Sequence, residues 1–219
     1  MKITLTDTGK KFGSEWIFRN LTHTFESGCA CAILGKNGSG KSTLLQLISG
    51  NLHPSEGTVR YHIDGREIGT DSIFRYLMIA APYLELIEEF TLEEMLRFHF
   101  SFKRMVPGHS LATVRDLLGF SPAAGKILSQ FSSGMKQRLR LVLAFLSDVP
   151  LLLLDEPTTN LDRPGMEWYL GLVSDFRRQR TVIICSNLEK EETAFCESKI
   201  FIGDFKPSGK KPNFAPPIV

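Results

Sequence analysis

Long apolar runs are absent from this sequence of 219 residues, and so is an excess of charge of one sign. No run approaches the roughly 18–20 apolar residues that a membrane-crossing helix needs, so the sequence predicts no spanning segment. Lys and Arg number 26 and Asp and Glu 24, whereas nucleic-acid binders more often carry a strong basic excess or a basic stripe. The first residues, MKITL, enter strand-like alternation directly and do not resemble a secretory signal.

Cysteine is scarce as well, with Cys29, Cys31, Cys185 and Cys196 as the full set. Because no second close pair accompanies Cys29 and Cys31, a zinc site is not indicated, and buried, reduced thiols in a cytosolic protein are expected. Hydrophobic residues make up 42% and charged residues 23%, which is near the globular average and excludes a disordered chain. The length fits one domain, or a large lobe with a smaller one inserted.

Apolar strand patterns alternate with helical patterns along the chain. Strands are predicted at 3–8, 15–19, 22–26, 29–34, 57–63, 66–68, 75–81, 149–154, 181–185 and 199–202. Helices are predicted at 42–48, from the cap Thr91 onward, and at 111–118, 134–146 and 164–178. This alternation predicts an α/β fold with a largely parallel sheet, covered by helices.

A phosphate-binding loop is indicated by the residues GKNGSGKS at 35–42, which match G-x-x-x-x-G-K-[ST] between an apolar strand and an amphipathic helix. Glycines allow successive N–H groups to converge on one anion, and the helix N-terminus adds partial positive charge. Lys41 can reach the β- and γ-phosphates, and Ser42 can ligate magnesium. With Thr43, the predicted binding residues in this loop are Gly35, Asn37, Gly38, Ser39, Gly40, Lys41 and Ser42.

Two adjacent acids, Asp155 and Glu156, end the apolar run LLLL. Ligands of parallel sheets bind beyond the carboxyl ends of the strands, which is where the phosphate loop also lies. Asp155 is therefore the second predicted magnesium ligand, and Glu156 is predicted to polarise an attacking water. A solvated acidic turn is the alternative interpretation of this pair, and the neighbouring phosphate loop disfavours it.

The stretch LSQFSSGMKQR at 128–138 lies upstream of these acids and resembles the LSGGQ signature of ATP-binding cassette (ABC) ATPases. Residues 160–162, Asn-Leu-Asp, are similar to the D-loop of that family. Together with the phosphate loop and the acidic pair, the resemblance covers about residues 3–203. It implies ATP as the nucleotide, Mg²⁺ as the metal and ATP hydrolysis as the activity.

The resemblance also implies a P-loop NTPase core with a mostly parallel sheet, an N-terminal antiparallel β subdomain and an inserted helical lobe. The core would comprise residues 1–89 and 149–205, and the helical lobe, with the signature, residues 90–148. Residues 206–219 form a proline-rich tail that is expected to be irregular.

The signature segment offers a second anion site, since a helix opening near Gly134 presents free amides beside Ser132 and Ser133. In the family, two cassettes pair head to tail, and each signature closes over the nucleotide held by the other chain. A second copy of this chain, or a homologous cassette, is therefore an expected partner. Phe12 is the predicted stacking partner of adenine, with Trp16 as the runner-up and core packing of Phe12 as the alternative.

Two positions depart from the family pattern. Pro82 stands where a glutamine usually reaches magnesium and the attacking water, and Tyr83 or Glu85 would have to substitute for it. Asn187 stands where a histidine usually bonds the γ-phosphate; asparagine can still donate an N–H but cannot take up a proton near neutral pH. Asn187 is kept as a catalytic candidate with Lys41 and Glu156, and turnover is expected to be slow.

The resemblance implies an ATP-hydrolysing transporter subunit that is cytoplasmic and peripheral to the membrane, with a separate spanning subunit as partner and without nucleic acid. That subunit would dock near an aromatic-rich set, namely Tyr83, Leu84, Leu86, Phe90, Phe98, Phe100 and Phe102. Core packing of most of this set is the alternative. Two other functions stay open: a nucleotide-gated regulatory module with negligible turnover, and a soluble ABC ATPase without a transport role.

Overall fold

Two β-sheets form the framework of the protein, which a computed structural model describes over residues 1–120, 125–177, 179–187 and 191–207. The first sheet is antiparallel, with strands β1 (Lys2–Phe12), β2 (Glu15–Phe25), β4 (Glu56–Ile63) and β5 (Arg66–Ile68) in the order β2-β1-β4-β5. The second sheet is parallel, with β3 (Ala30–Leu34), β6 (Leu77–Ala80), β7 (Leu151–Asp155), β8 (Thr181–Ser186) and β9 (Ser198–Phe201) in the order β6-β7-β8-β3-β9. The predicted fold class is confirmed.

Within the described residues, five α-helices accompany the sheets: α1 (Lys41–Ile48), α2 (Leu92–Phe102), α3 (Leu111–Leu118), α4 (Ser133–Leu146) and α5 (Arg163–Phe176). Thr91 caps α2 in a reciprocal capping box with Glu94, as its sequence position predicts. Asp162 caps α5 by accepting a hydrogen bond from the Gly165 amide at 2.8 Å. The predicted helices are therefore found with boundaries within two residues of those expected.

The second strand corrects the sequence-based expectation, because 15–19 and 22–26 are parts of one continuous strand, β2. Its pairing with β1 contains register shifts, and both Asp7 and Asn20 adopt positive φ, at 46° and 56°. A β-bulge lets a strand continue past an unpaired residue while the local twist increases. The alternation of side chains is lost at such a bulge, which is why the sequence pattern breaks there.

The parallel sheet separates two apolar cores, and alternate residues of its strands serve one or the other. Leu151 and Leu153 of β7 pack toward the antiparallel sheet and α1. Leu152 and Leu154 pack toward the helices α2 to α5. Strands buried on both faces need continuous apolar sequence, so the solid Leu run at 151–154 follows from this position in the fold.

Within the described ranges, no helix has both the length and the apolar character that crossing a membrane requires. All four cysteines are free thiols, with Cys31 and Cys185 buried and Cys29 and Cys196 partly buried. Of the predicted irregular tail, residues 208–219 lie outside the described residues.

Candidate functional site

Three loops converge at the carboxyl edge of the parallel sheet. Strands β7, β8 and β3 are neighbours in that order, with Asp155 paired to Cys185 and Leu34 to Ser186. The chain segments that leave these strands are the phosphate loop (residues 35–42), the turn at 155–161 and the segment that begins with Asn187. Sheet register thus brings together residues that are more than a hundred positions apart in the sequence.

The backbone of the phosphate loop requires glycine where it meets α1. Gly40 has φ 107°, and a Cβ there would lie 2.5 Å from Ile17 Cγ2 of β2. Any larger residue would therefore be strained and would also clash with the antiparallel sheet. Asn37 and Gly38 are exposed at the tip of the loop, while Ser42 and Thr43 lie in the first turn of α1.

Lys41 is buried, at 4% exposed, and its ammonium group is fully occupied. Nζ donates to Gly35 O at 2.9 Å, to Lys36 O at 3.3 Å and to Asn187 Oδ1 at 2.5 Å. The lysine is thereby held against the carbonyl groups at the start of the loop. A phosphate arriving there would compete with the Asn187 contact for the ammonium group.

Asp155 lies beside this lysine, 2% exposed at the end of β7. Burial raises the pKa of its carboxyl group, while the hydrogen bond with Ser42 and the charge of Lys41 lower it, and the Glu156 charge raises it. Oδ1 is buried and has no hydrogen-bond partner among the described residues. An unpaired buried carboxylate oxygen beside a serine hydroxyl fits a hard divalent cation, since Mg²⁺ prefers oxygen ligands.

Glu156 follows in a left-handed backbone conformation, with φ 45°, which is uncommon for a residue with a side chain. Its Oε1 accepts from Asn187 Nδ2 at 2.8 Å and lies 3.8 Å from Lys41 Nζ. The Asn187 amide thus bridges the lysine and the carboxylate. Asn187 is predicted from the sequence to meet a phosphate, and the structure shows it in contact with both of the other predicted catalytic residues.

The position of the missing glutamine is occupied by an exposed Pro82, next to Tyr83. The phenol of Tyr83 is hydrogen-bonded to Gln46 of α1, and burial, with a smaller effect of the Asp155 charge, raises the pKa of Tyr83 to about 12. Both substitutes considered from the sequence, Tyr83 and Glu85, are exposed, and Tyr83 is the one whose phenol is hydrogen-bonded to α1.

The signature segment forms a separate polar surface at the N-terminus of α4. Ser132 caps the helix, accepting from Met135 N at 3.2 Å, and Ser133 is exposed. Gly134 approaches the turn after β7 so closely that a Cβ would lie 3.1 Å from Asn160 O. These residues line an open cavity of about 410 Å³ together with Gly119, Phe120, Met135, Arg138, Asn160, Leu161 and Asp162. Free helix amides beside small side chains make this surface suited to an anion.

Phe12 is 51% exposed at the end of β1, which excludes the core-packing alternative, and Lys10 Nζ lies 5.2 Å from its ring centroid. Trp16, the runner-up, is partly buried and has the guanidinium of Arg19 at 4.3 Å from its ring centroid. Phe12 therefore stays the better candidate for an aromatic base.

Two residues of the site were not predicted from the sequence. Gln137 of α4 is buried and donates from Nε2 to Pro157 O at 2.8 Å. Glu192 is also buried, and it lines a cavity of about 280 Å³ together with Glu156, Thr158, Thr159, Met166 and Asn187. Glu192 lies at the end of the sequence Glu-Lys-Glu-Glu, a charge run typical of a solvated surface, so no sequence signal marks it.

Comparisons with known proteins agree with this arrangement. A family model described as ABC transporter matches residues 18–159. The ABC transporter ATP-binding protein NatA of Bacillus subtilis is 28% identical over 211 residues, which are 91% of this chain and 85% of that protein. The Nod factor export ATP-binding protein I of Rhizobium johnstonii is 30% identical over 200 residues, which are 89% of this chain and 64% of that protein.

Solved structures share the fold. An ATP-binding subunit of an ABC transporter superimposes with a TM-score of 0.77 at 24% identity, covering 93% of this chain and 87% of that one. The structure of the ATP-binding cassette MJ0796, a dimer in a post-hydrolysis state bound to ADP and Pi, superimposes with a TM-score of 0.75 at 23% identity. The match covers 92% of this chain and 95% of that one. At such identities the likeness concerns the architecture alone.

Proposed function

Because the chain belongs to the ABC transporter family of ATP-binding proteins, we propose that it is the ATP-binding and hydrolysing subunit of an ABC transporter. It would energise transport through a separate membrane-spanning subunit. The observation that carries the proposal is the convergence of Lys41, Asp155 and Glu156 at one sheet edge, with a buried carboxylate oxygen of Asp155 left unpartnered. The helical region 90–148, with the signature segment, would act as one lobe against the core of 1–89 and 149–205.

Each residue has a chemical role that its position supports. The amides of residues 35–42 and the Lys41 ammonium group would hold the phosphates, and Ser42 with Asp155 would hold magnesium, which neutralises phosphate charge when bound. Glu156, held by a hydrogen bond from Asn187 Nδ2 at 2.8 Å, would orient and deprotonate the attacking water. Phe12 would stack on the adenine.

A dimer is proposed because the chain has two anion surfaces and its phosphate loop accounts for one. The N-terminus of α4, with Ser132, Ser133 and Gly134, would close over the nucleotide of a partner cassette. The partner is a second copy of this chain or a homologous cassette. Two composite sites would join the dimer when ATP is bound and release it after hydrolysis.

Turnover is proposed to be slow. Pro82 has no side-chain donor or acceptor, and Asn187 cannot take up a proton near neutral pH. The loss of one donor to a transition state costs on the order of 10²–10³ in rate. Tyr83 would compensate in part, since its phenol is hydrogen-bonded to Gln46 of α1, the helix that follows the phosphate loop.

Steady-state phosphate release, measured with magnesium–ATP over a concentration series of the purified protein, tests this proposal. Release is expected to rise more steeply than the protein concentration, because the active species is a dimer that forms by mass action. ATP binding without any release would instead favour the regulatory module with negligible turnover. Release strictly proportional to concentration would contradict the composite site.

The spanning subunit is proposed to dock on exposed apolar side chains, namely Phe98 and Phe102 of α2 together with Tyr83 and Leu84. Phe102 is 74% exposed, and its ring meets that of Phe98 edge-on at 5.1 Å. Phe74, 60% exposed, has its main-chain carbonyl near the end of α2, since Lys103 donates to it at 2.6 Å. Clustered exposed aromatics are typical of partner surfaces, whereas Leu86, Phe90 and Phe100 of the predicted set pack into the core.

Replacing Phe102 by glutamate is expected to detach the chain from membranes of cells that contain its spanning subunit. A charge placed at the centre of an apolar interface is costly to bury, so the fraction that sediments with membranes should fall at least about tenfold. Phe201→Glu, a change at an exposed phenylalanine of β9, is the matched control and should sediment like the unaltered chain. Equal sedimentation of the Phe102 variant would contradict docking there.

A further inference from the structure

Glu192 is a buried carboxylate for which the mechanism above has no use. It is 2% exposed, and its Oε1 accepts two hydrogen bonds from one residue, from Thr158 N at 3.0 Å and from Thr158 Oγ1 at 2.8 Å. A carboxylate is costly to bury, and fixed donors are what offset that cost. The two donors on Thr158 thus make this contact an anchor between the chain after β8 and the turn after β7.

The turn that Glu192 holds is the one that presents Glu156. Thr158 lies two residues beyond Glu156, and Thr159 N donates back to Glu156 O at 3.0 Å. Glu156 and Asn160 both have positive φ, at 45° and 65°, so the backbone here is strained and needs support from its surroundings. Any movement of Thr158 would therefore change the direction of the Glu156 side chain.

The same turn is held from its other side by the signature helix. Gln137 of α4 donates to Pro157 O at 2.8 Å, one residue before Thr158. The turn therefore lies between two buried side chains, one from α4 and one from the segment that follows Asn187. Glu192 also borders the cavity that Glu156 and Asn187 line, so its contact acts at the reacting end of the site.

We propose that Glu192 is a positioning residue for ATP hydrolysis: by accepting both hydrogen bonds of Thr158, it fixes the turn that aims Glu156 at the attacking water. This inference rests on the proposed ATPase function. The contacts that place Glu192 are those with Thr158, so its proposed effect is on kcat through the geometry of the turn. A displacement of about 1 Å in a catalytic group can cost on the order of 10² in rate.

Steady-state ATP hydrolysis by the full chain tests the proposal. Glu192→Ala is expected to lower kcat by about 10–100-fold and to change the KM for ATP less than about threefold, because the phosphate loop is untouched. Glu192→Gln keeps an Oε1 that can accept both hydrogen bonds, so it should retain kcat within about threefold. Glu191→Ala removes an exposed neighbouring carboxylate and is the matched control, expected to be unchanged.

A double-mutant cycle separates positioning from a general loss of stability. Thr158→Val removes the Oγ1 donor and should lower kcat on its own, and the double variant Glu192→Ala/Thr158→Val should lose little beyond Glu192→Ala. Equal kcat in Glu192→Ala and the unaltered chain, or fully additive losses, would overturn the proposal. If Glu192→Ala does not fold, an unchanged kcat in Thr158→Val overturns it alone. Absence of hydrolysis in the unaltered chain would instead count against the ATPase function itself.

Discussion

Replacing Glu156 by glutamine is expected to lower phosphate release by about 10²–10⁴-fold while ATP still binds, because only the base is removed. A glutamine oxygen can take the place of Oε1 and accept from Asn187 Nδ2, so the bridge to Lys41 keeps its shape. The amide cannot accept a proton from water. The variant should therefore hold ATP in the closed dimer, since the proposed release step needs hydrolysis.

Phosphate release measures the loss of hydrolysis, and size-exclusion chromatography with magnesium–ATP measures whether the dimer persists. The Glu156 variant should elute as a dimer under conditions in which the unaltered chain is mostly monomeric. Glu67→Gln, at an exposed carboxylate of β5, is the matched control and should behave like the unaltered chain. Identical phosphate release from the Glu156 variant and the unaltered chain would show that Glu156 is not the base.

Replacing Asp155 by asparagine is expected to stabilise the nucleotide-free fold and to abolish its response to magnesium–ATP. The carboxylate is 2% exposed and its Oδ1 has no hydrogen-bond partner among the described residues, and a neutral amide costs less to bury than a charge whose hydrogen bonds are incomplete. The free energy of unfolding should rise by about 1–2 kcal/mol, which corresponds to about 2–8 °C in Tm for a chain of this size. Phosphate release should fall about 10²-fold or more, since the proposed magnesium ligand is lost.

The increase in stability from Asp155→Asn should also depend on pH, and its direction follows from the pKa of Asp155. Burial raises the pKa of Asp155 above its ordinary value of 3.8. A raised pKa in the folded state means that stability increases as the pH falls through it, because the folded protein then takes up the proton more readily than the unfolded chain. Asparagine does not titrate, so the stability of the variant does not change in this way. The difference in stability between the variant and the unaltered chain should therefore be largest near neutral pH and vanish below the ordinary pKa.

Thermal unfolding of both proteins, at neutral pH and at about pH 4, checks the expectation. Magnesium–ATP should raise the Tm of the unaltered chain and leave that of the Asp155 variant nearly unchanged. Asp116→Asn, at an exposed residue of α3, is the matched control for the charge change. A variant less stable than the unaltered chain at neutral pH would contradict a net cost of burying the Asp155 charge.

The phosphate loop and the acidic pair could be predicted because each is contiguous in sequence and carries its own chemistry. Gly40 is recognisable from the motif, and the structure adds the reason, namely the approach of Ile17. The caps Thr91 and Ser132 were also readable, since capping depends on local spacing. The site residues themselves, Phe12 and the signature serines included, stay predictions until nucleotide binding is measured.

Contacts between residues distant in the sequence could not be predicted from the sequence. Asn187 pairs with Lys41 and Glu156 only because β3, β8 and β7 are adjacent in the sheet. Glu192 lies in a charge run that predicts solvent exposure, and its burial results from the turn that packs over it. The bulges of β2 likewise depend on its pairing with β1. Such features depend on tertiary neighbours, which composition and periodicity do not encode.

The way Lys41 is held has a consequence for nucleotide affinity. A free lysine side chain loses on the order of 1.5–2 kcal/mol of rotamer entropy when it becomes ordered. Here two loop carbonyls hold the ammonium group through hydrogen bonds made within the chain, at 2.9 and 3.3 Å. That ordering therefore occurs during folding and does not weaken ATP binding. The lysine is preorganised, and only the asparagine contact has to be exchanged when the nucleotide arrives.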